Sequence, residues 1–149
     1  MGALKERLEA EMKSAMKSRD RGRLPTLRML TAAITHREKE VRHELSDEEV
    51  QAVAASEVKR RKESAEAFEK GGRPELAEKE RAEQAILEEY APEQMGEDEV
   101  AALIDEAVAA TGAEGPGDLG KVMGYVMGKA KGRADGGAVN RLVRERLGA

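Results

Sequence analysis

The sequence predicts an all-α protein: an N-terminal four-helix region followed by a small three-helix C-terminal domain. Three observations carry that reading. Charged residues make up 38% of the 149 residues and aromatics only 2%, with Ala, Leu, Glu, Lys and Arg dominating, a composition typical of exposed helices joined along apolar seams. Apolar residues recur at three- and four-residue intervals, and no segment alternates with the period of two that a half-buried strand requires. Proline and glycine punctuate the chain into helix-length pieces.

The first helix carries Leu4, Leu8, Met12 and Met16 at strict four-residue spacing and ends near Arg19-Asp20-Arg21-Gly22. A second starts around Pro25, which suits a first turn because its missing amide would have no partner there. It sets Leu27, Leu30, Ile34 and Val41 on one face. Ser46, with Glu49 three residues on, makes a capping box for a third helix, in which Val50, Val53, Ala54, Val58 and Ala65 lead to Phe68 before Lys70-Gly71-Gly72 stops it. Pro74 opens a fourth helix through Leu76, Glu83, Ile86, Leu87 and Tyr90. Ala91-Pro92 closes it, because the residue before proline is pushed out of the helical region.

Residues 92–96 read as a linker, which places an N-terminal helical region at 1–91 and a three-helix domain at 97–149. The latter begins with a helix through Val100, Leu103, Ile104 and Val108 that stops at Gly112. Glu114-Gly115-Pro116-Gly117 is a second break. A short helix from about Asp118 to Met127, a glycine-rich turn, and a last helix capped by Asp135 with Val139, Leu142, Val143 and Leu147 inward complete the chain.

Composition narrows the function. With no cysteine, thiol catalysis, thiolate metal sites and disulfide frameworks are excluded, and an intracellular, cytoplasmic protein is the expectation. Met1 to Arg19 is charged throughout, unlike an export signal, and nothing approaches the roughly 20 apolar residues of a membrane span. Phe68, Tyr90 and Tyr125 are too few rings for a base-stacking platform, and no reading of DNA sequence is expected. The net charge of -4 conceals a segmental pattern. Residues 75–111 hold 2 basic and 12 acidic groups, whereas 118–149 hold 7 basic and 3 acidic, a basic module on an acidic protein.

That basic module carries the most informative motif. Gly120, Gly124, Gly128, Gly132 and Gly136 lie four apart, and on a helix the first three strip one stripe of side chains. Each interior glycine costs about 1 kcal/mol against alanine, so the spacing predicts that another backbone approaches closely. A neighbouring helix suits Gly120 and Gly124; a phosphate backbone is favoured by the flanking lysines. Gly120, Gly124 and Gly128 are therefore the candidate close-packing glycines. Lys129, Lys131 and Arg133 sit on the glycine-rich turn before Asp135, where backbone amides and the start of the next helix face an anion together with the side chains. With Lys121 and Gly132 they form the candidate RNA-binding set.

Other motifs read as structure. Gly115-Pro116-Gly117-Asp118-Leu119-Gly120 fits the dinucleotide pattern, and through Lys121 most of a P-loop, but it lacks a preceding strand, and Val122 stands where a magnesium-binding hydroxyl belongs. His36, Glu40 and His43 make a weak metal pattern among Arg37, Lys39 and Arg42, more in keeping with a solvated face. Lys59-Arg60-Arg61-Lys62, interleaved with glutamates, reads as a salt-bridged surface. No nucleophile–base pair is visible, so no catalytic residue, metal or cofactor is expected.

Leu119-Gly120-Lys121-Val122-Met123-Gly124, Lys131-Gly132-Arg133-Ala134-Asp135-Gly136 and Val139-Asn140 together resemble the YqeY-like proteins and the tail domain of the B subunit of tRNA-dependent amidotransferases, the GatB/YqeY group. Leu27 to Ile34, Lys59 to Ser64, Phe68 to Arg73 and Glu89 to Gln94 resemble further blocks of the family, so the likeness spans the chain. Gly96 departs from the usual Ser or Thr cap, and Ala91 from the usual leucine. The resemblance implies an all-helical protein whose C-terminal domain, in the amidotransferase, helps to hold substrate tRNA while chemistry occurs elsewhere. It implies here an accessory tRNA-binding or tRNA-enzyme-associated protein without independent activity, whose partners are tRNA and an aminoacyl-tRNA enzyme or amidotransferase. Two alternatives stay open: a subunit or partner in glutamine-dependent amide transfer, a carbon-nitrogen ligase reaction, and a protein-interaction module without RNA binding.

Overall fold

The computed structural model describes residues 2–148. Met1 and Ala149, the outer ends of the two expected ranges, lie outside the described residues. Among these residues there are seven α-helices and no strand: α1 (Ala3–Ser18), α2 (Arg23–Val41), α3 (Asp47–Lys70), α4 (Pro74–Glu88), α5 (Glu97–Thr111), α6 (Leu119–Ala130) and α7 (Gly136–Leu147), with one 3-10 turn at Pro116–Asp118 before α6. They gather into two compact units, one running to Pro92 and the other starting at Glu93.

In the first unit, α1 to α4 surround a core of Leu8, Ala15, Leu27, Leu30, Ile34, Leu45, Val50, Ala54, Leu87 and Tyr90. The stripe of α1 differs from the expectation at its end: Met16 is 55% exposed and Ala15 is buried in its place. The reason is the helical repeat. Steps of four drift by about 40° each at 3.6 residues per turn, so Met16 lies roughly 120° from Leu4, whereas Ala15 returns to within about 20°. The expected capping box is present, with the Glu49 amide donating to Ser46 Oγ at 3.2 Å and the Ser46 amide donating to Glu49 Oε1 at 3.1 Å. Asp47, just inside α3, also serves α1, since its Oδ1 accepts from the Leu4 amide at 3.1 Å. A Cβ at Gly2 would lie 2.3 Å from that oxygen, so a side chain there would push the Asp47 carboxylate off the Leu4 amide.

Ionic clusters tie these helices together. The Glu11 carboxylate accepts from the Tyr90 hydroxyl, from Arg7 Nε at 2.9 Å and from an Arg23 terminal nitrogen at 2.6 Å. Arg23 reaches on to both oxygens of Glu89 at 2.9 and 3.0 Å, and the Arg7 guanidinium lies over the Tyr90 ring, 4.7 Å from its centroid. Burial opposes ionisation of Glu11, but these three donors outweigh it and hold the carboxyl below its ordinary range. Burial, then the bond to Glu11, pushes the Tyr90 hydroxyl well above the usual tyrosine range. A second cluster corrects the reading of Lys59 to Lys62 as a surface at one residue, since Lys59, Arg60 and Lys62 are exposed and Arg61 is not. Arg61 is only 13% exposed and stands between α3 and α4, its guanidinium 3.3 Å from Glu57, 3.7 Å from Glu80 and 3.1 Å from Glu83, with a contact to the Met29 sulfur of α2.

In the second unit, α5, α6 and α7 close over Val100, Ile104, Ala107, Val122, Val126, Val139, Val143 and Leu147. Gly112, at φ 67°, ends α5, and Asp135 caps α7 by accepting from the Ala138 amide at 3.0 Å. No side chain caps the start of α5 at Gly96.

Because the folded-state pKa of Glu11 is depressed, its contribution to stability is complete above the unfolded-state value and is lost as pH falls through the folded-state value. Glu11→Gln is expected to cost about 2 kcal/mol at neutral pH, and the gap from wild type should narrow below about pH 5. Urea unfolding from pH 7 to 3 measures it; a constant gap would refute the assignment.

Candidate nucleic-acid interface

The residues singled out from the sequence come together on α6 and the turn that follows it. Around α6 the apolar positions Val122, Val126 and Ala130 are buried, while Gly120, Gly124 and Gly128 are exposed within an arc of about 80°. A Cβ built on any of these three glycines meets nothing within 4 Å. This corrects the expectation that Gly120 and Gly124 seat a neighbouring helix of the same chain, because the apolar seam of α6 runs along the opposite side. The stripe is an open track of bare backbone.

Cations border that track. Lys121 is 68% exposed in its side chain, with the Asp118 carboxylate 3.7 Å away. Two turns on, the Lys129 ammonium stands 5.5 Å from the centre of the Tyr125 ring. Lys131 follows as the left-handed cap of α6, at φ 47°, and Gly132 continues the reversal at φ 81°. From Lys121 to Lys131 the rise is about 15 Å.

Part of the predicted anion site is engaged within the chain. Two backbone amides of the turn are engaged, Lys131 donating to the Met127 carbonyl at 3.3 Å and Arg133 to the Ala130 carbonyl at 2.9 Å. The start of α7 is occupied by the Asp135 carboxylate. Arg133 is also engaged: its Nε donates to the Glu93 carbonyl at 2.7 Å, and a terminal nitrogen lies 3.1 Å from Glu99.

The Gly115 to Gly120 motif forms the 3-10 turn after α5. Its Asp118 carboxylate accepts from the Glu114 amide at 2.9 Å, and the amides of Glu114 and Gly115 hold it below the ordinary aspartate range. A turn that encloses its own carboxylate repels phosphate. His43 leaves the face of His36 and Glu40 because Arg42, at φ 61°, ends α2; His36 Nε2 pairs with Glu40 at 2.9 Å, and His43 Nε2 lies 3.8 Å from Glu49. Among the described residues no group of three His, Cys, Asp or Glu stands ready for a metal, and no helix is long and apolar enough to cross a membrane.

Sequence reasoning missed the Arg133 tether and the exposed pair Arg141 and Arg144 on the outer face of α7, with Arg146 reaching across to Asp105 of α5 at 3.4 Å. The pair was open to discovery, since Val139, Val143 and Leu147 fix the inner face of α7. The tether joins residues some forty positions apart and left no local signal.

These features define a small all-helical protein whose C-terminal unit turns a glycine-lined, lysine-bordered helix face outward. The sequence matches the model of the family described as YqeY-like protein over residues 5–147, and the chain belongs to that family. It is also similar to altered inheritance of mitochondria protein 41, mitochondrial, of Pyrenophora tritici-repentis (strain Pt-1C-BFP), with 34% identity over 120 residues that cover 79% of this chain and 66% of that relative. The chain thus spans about two thirds of the length of this curated relative.

Since the glycine track meets no neighbour, Gly124→Ala is expected to stabilise the protein by about 1 kcal/mol through helix propensity. Gly124→Leu should leave the melting temperature within a few degrees of wild type. A loss of several kcal/mol in the leucine variant, by thermal or urea unfolding, would show that the track is packed.

Proposed function

We propose that this protein is an accessory tRNA-binding factor, acting beside a tRNA-dependent enzyme such as an amidotransferase and performing no chemistry of its own. The observation that carries the proposal is the exposed glycine track of α6 with Lys121 and Lys129 beside it and Lys131 at its end. Bare backbone admits a sugar–phosphate chain to within van der Waals contact, and flexible ammonium groups on the border neutralise it. The scarcity of aromatic rings directs recognition to phosphates and shape instead of stacked bases.

The same reading treats the two compact units as separable domains, a four-helix region to residue 91 and a tail-like three-helix domain from residue 97, joined through residues 92–96. The tail supplies the RNA contact and the four-helix region the protein contact. A cytoplasmic site of action belongs to this proposal; the name of the relative places that protein in mitochondria.

Folded total tRNA should bind weakly, with log affinity falling against log salt at a slope of about -2 to -3, because the binding is to phosphates. Reversing Lys121, Lys129 and Lys131 should flatten that slope by about 2 units, whereas reversing Lys59, Arg60 and Lys62 on α3 should change it by less than about 1. Absence of binding at low salt, or a larger effect from the α3 variant, would replace this reading with that of a protein-interaction module. Limited proteolysis tests the division separately: first cuts are expected at residues 114–117 or, where the bonds of 93–95 open, within 92–96. First cuts inside α3 or α4 would refute it.

A further inference from the structure

Arg133 occupies an unusual position for a cation of a binding turn, because its guanidinium and its carbonyl are both engaged by α5 or the segment entering it. Its Nε donates to the Glu93 carbonyl at 2.7 Å, its terminal nitrogen pairs with Glu99 at 3.1 Å, and its own carbonyl accepts from the Met95 amide at 2.8 Å. Gln94 adds a bond from Nε2 to the Gly132 carbonyl at 3.2 Å. Residues 93–95 are thus strapped to the turn between α6 and α7, the turn that also carries Lys131.

We infer that this strap is a phosphate-sensitive latch: an RNA phosphate reaching the turn takes the Arg133 guanidinium from Glu99 and the Glu93 carbonyl, and frees residues 93–96. This rests on the tRNA reading above and adds a regulatory consequence to it. The ion pair to be broken is weak, and with it gone the strap rests on the Gln94 and Met95 hydrogen bonds and on the packing of Met95 against the core of the second unit. The Arg133 and Glu99 side chains are 38% and 53% exposed, and an ion pair in such a setting contributes little and is screened by salt. The replacement is stronger, since a phosphate accepts two charge-assisted bonds from the guanidinium fork while Lys129 and Lys131 concentrate anions beside it. Glu99 is the competitor that keeps the latch closed, because its carboxylate occupies the guanidinium and repels an incoming phosphate. Once freed, the four residues 93–96 extend to as much as about 14 Å, where strapped they are part of the second unit. Binding of RNA thereby turns residues 93–96 from a bonded part of the second unit into free chain.

The Met95 amide reports the latch directly, through hydrogen exchange of the full-length protein with and without saturating folded total tRNA. Its exchange is expected to accelerate at least about tenfold in the complex, as release of a bonded amide into a solvated linker requires. Glu99→Gln should tighten tRNA binding about threefold by removing the competing charge, and Arg133→Met should give fast Met95 exchange before any tRNA is added. If tRNA binds while Met95 stays protected, or if Arg133→Met leaves Met95 as protected as in wild type, the latch is refuted and the tRNA reading stands. If tRNA does not bind at all, both fall together.

Discussion

Glu11 is the group on which the N-terminal unit depends, because the helices around it meet through few large side chains and offer little else to fix their register. Tyr90, the largest fully buried residue, reaches it from the end of α4, Arg7 from one turn earlier on α1, and Arg23 from the first turn of α2. A seam of leucine and alanine stabilises helix association without specifying how far one helix slides along the next. A carboxylate that must satisfy a hydroxyl and two guanidinium groups does specify it, because a displacement of one turn strands charges that are costly to leave unpaired. Arg61 does the same for α3 against α4, surrounded by Glu57, Glu80 and Glu83. The high charge of the chain is therefore partly internal, and it substitutes for the aromatic packing that the composition lacks.

How much of this was legible follows from the range of each interaction. Element type and number came from local signals: the 3.6-residue period of Leu27, Leu30 and Ile34, the Ser46–Glu49 box, Pro74 in a first turn and Gly112 after a last one. Each operates within a few residues, where propensity and capping decide the outcome. Met16 shows the limit of spacing read by eye, since a strict four-residue interval drifts off the helical face. The ionic clusters were not legible. Glu57 and Arg61 stand four apart and invite a surface pair, yet what buries Arg61 is its approach to Glu80 and Glu83, and no one-dimensional pattern encodes that.

The candidate interface divides in the same way. The glycine interval and the surrounding lysines are sequence facts, and α6 presents them outward as a set. The donor inventory of the turn is a structural fact. Lys131 and Arg133 spend their amides closing α6, Asp135 spends its carboxylate capping α7, and Arg133 spends its guanidinium on Glu93 and Glu99. A helix N-terminus binds an anion with fixed dipoles and specific geometry, whereas flexible lysines bind it with mobile charge. The surface left by this inventory therefore suits an extended polyanion, met at several phosphates along about 15 Å of helix, better than a single tightly held phosphate.

An exposed helix that keeps three glycines on one face is unstable relative to its alanine counterpart by about 1 kcal/mol for each. Where glycines sit at a tight helix crossing, close packing returns that cost; on α6 the crossing is made by Val122, Val126 and Ala130 on the other side. The glycines then contribute nothing to the folded unit that alanine would not contribute better. What they do provide is a strip on which the closest atoms to solvent are main-chain atoms, nearer the helix axis than any Cβ surface would allow. Only a partner whose own outline is narrow and linear exploits such a strip, and lysines along its border set the sign of that partner's charge. A sugar–phosphate backbone meets both conditions, whereas a partner helix would meet the first while leaving Lys121 and Lys129 unexplained.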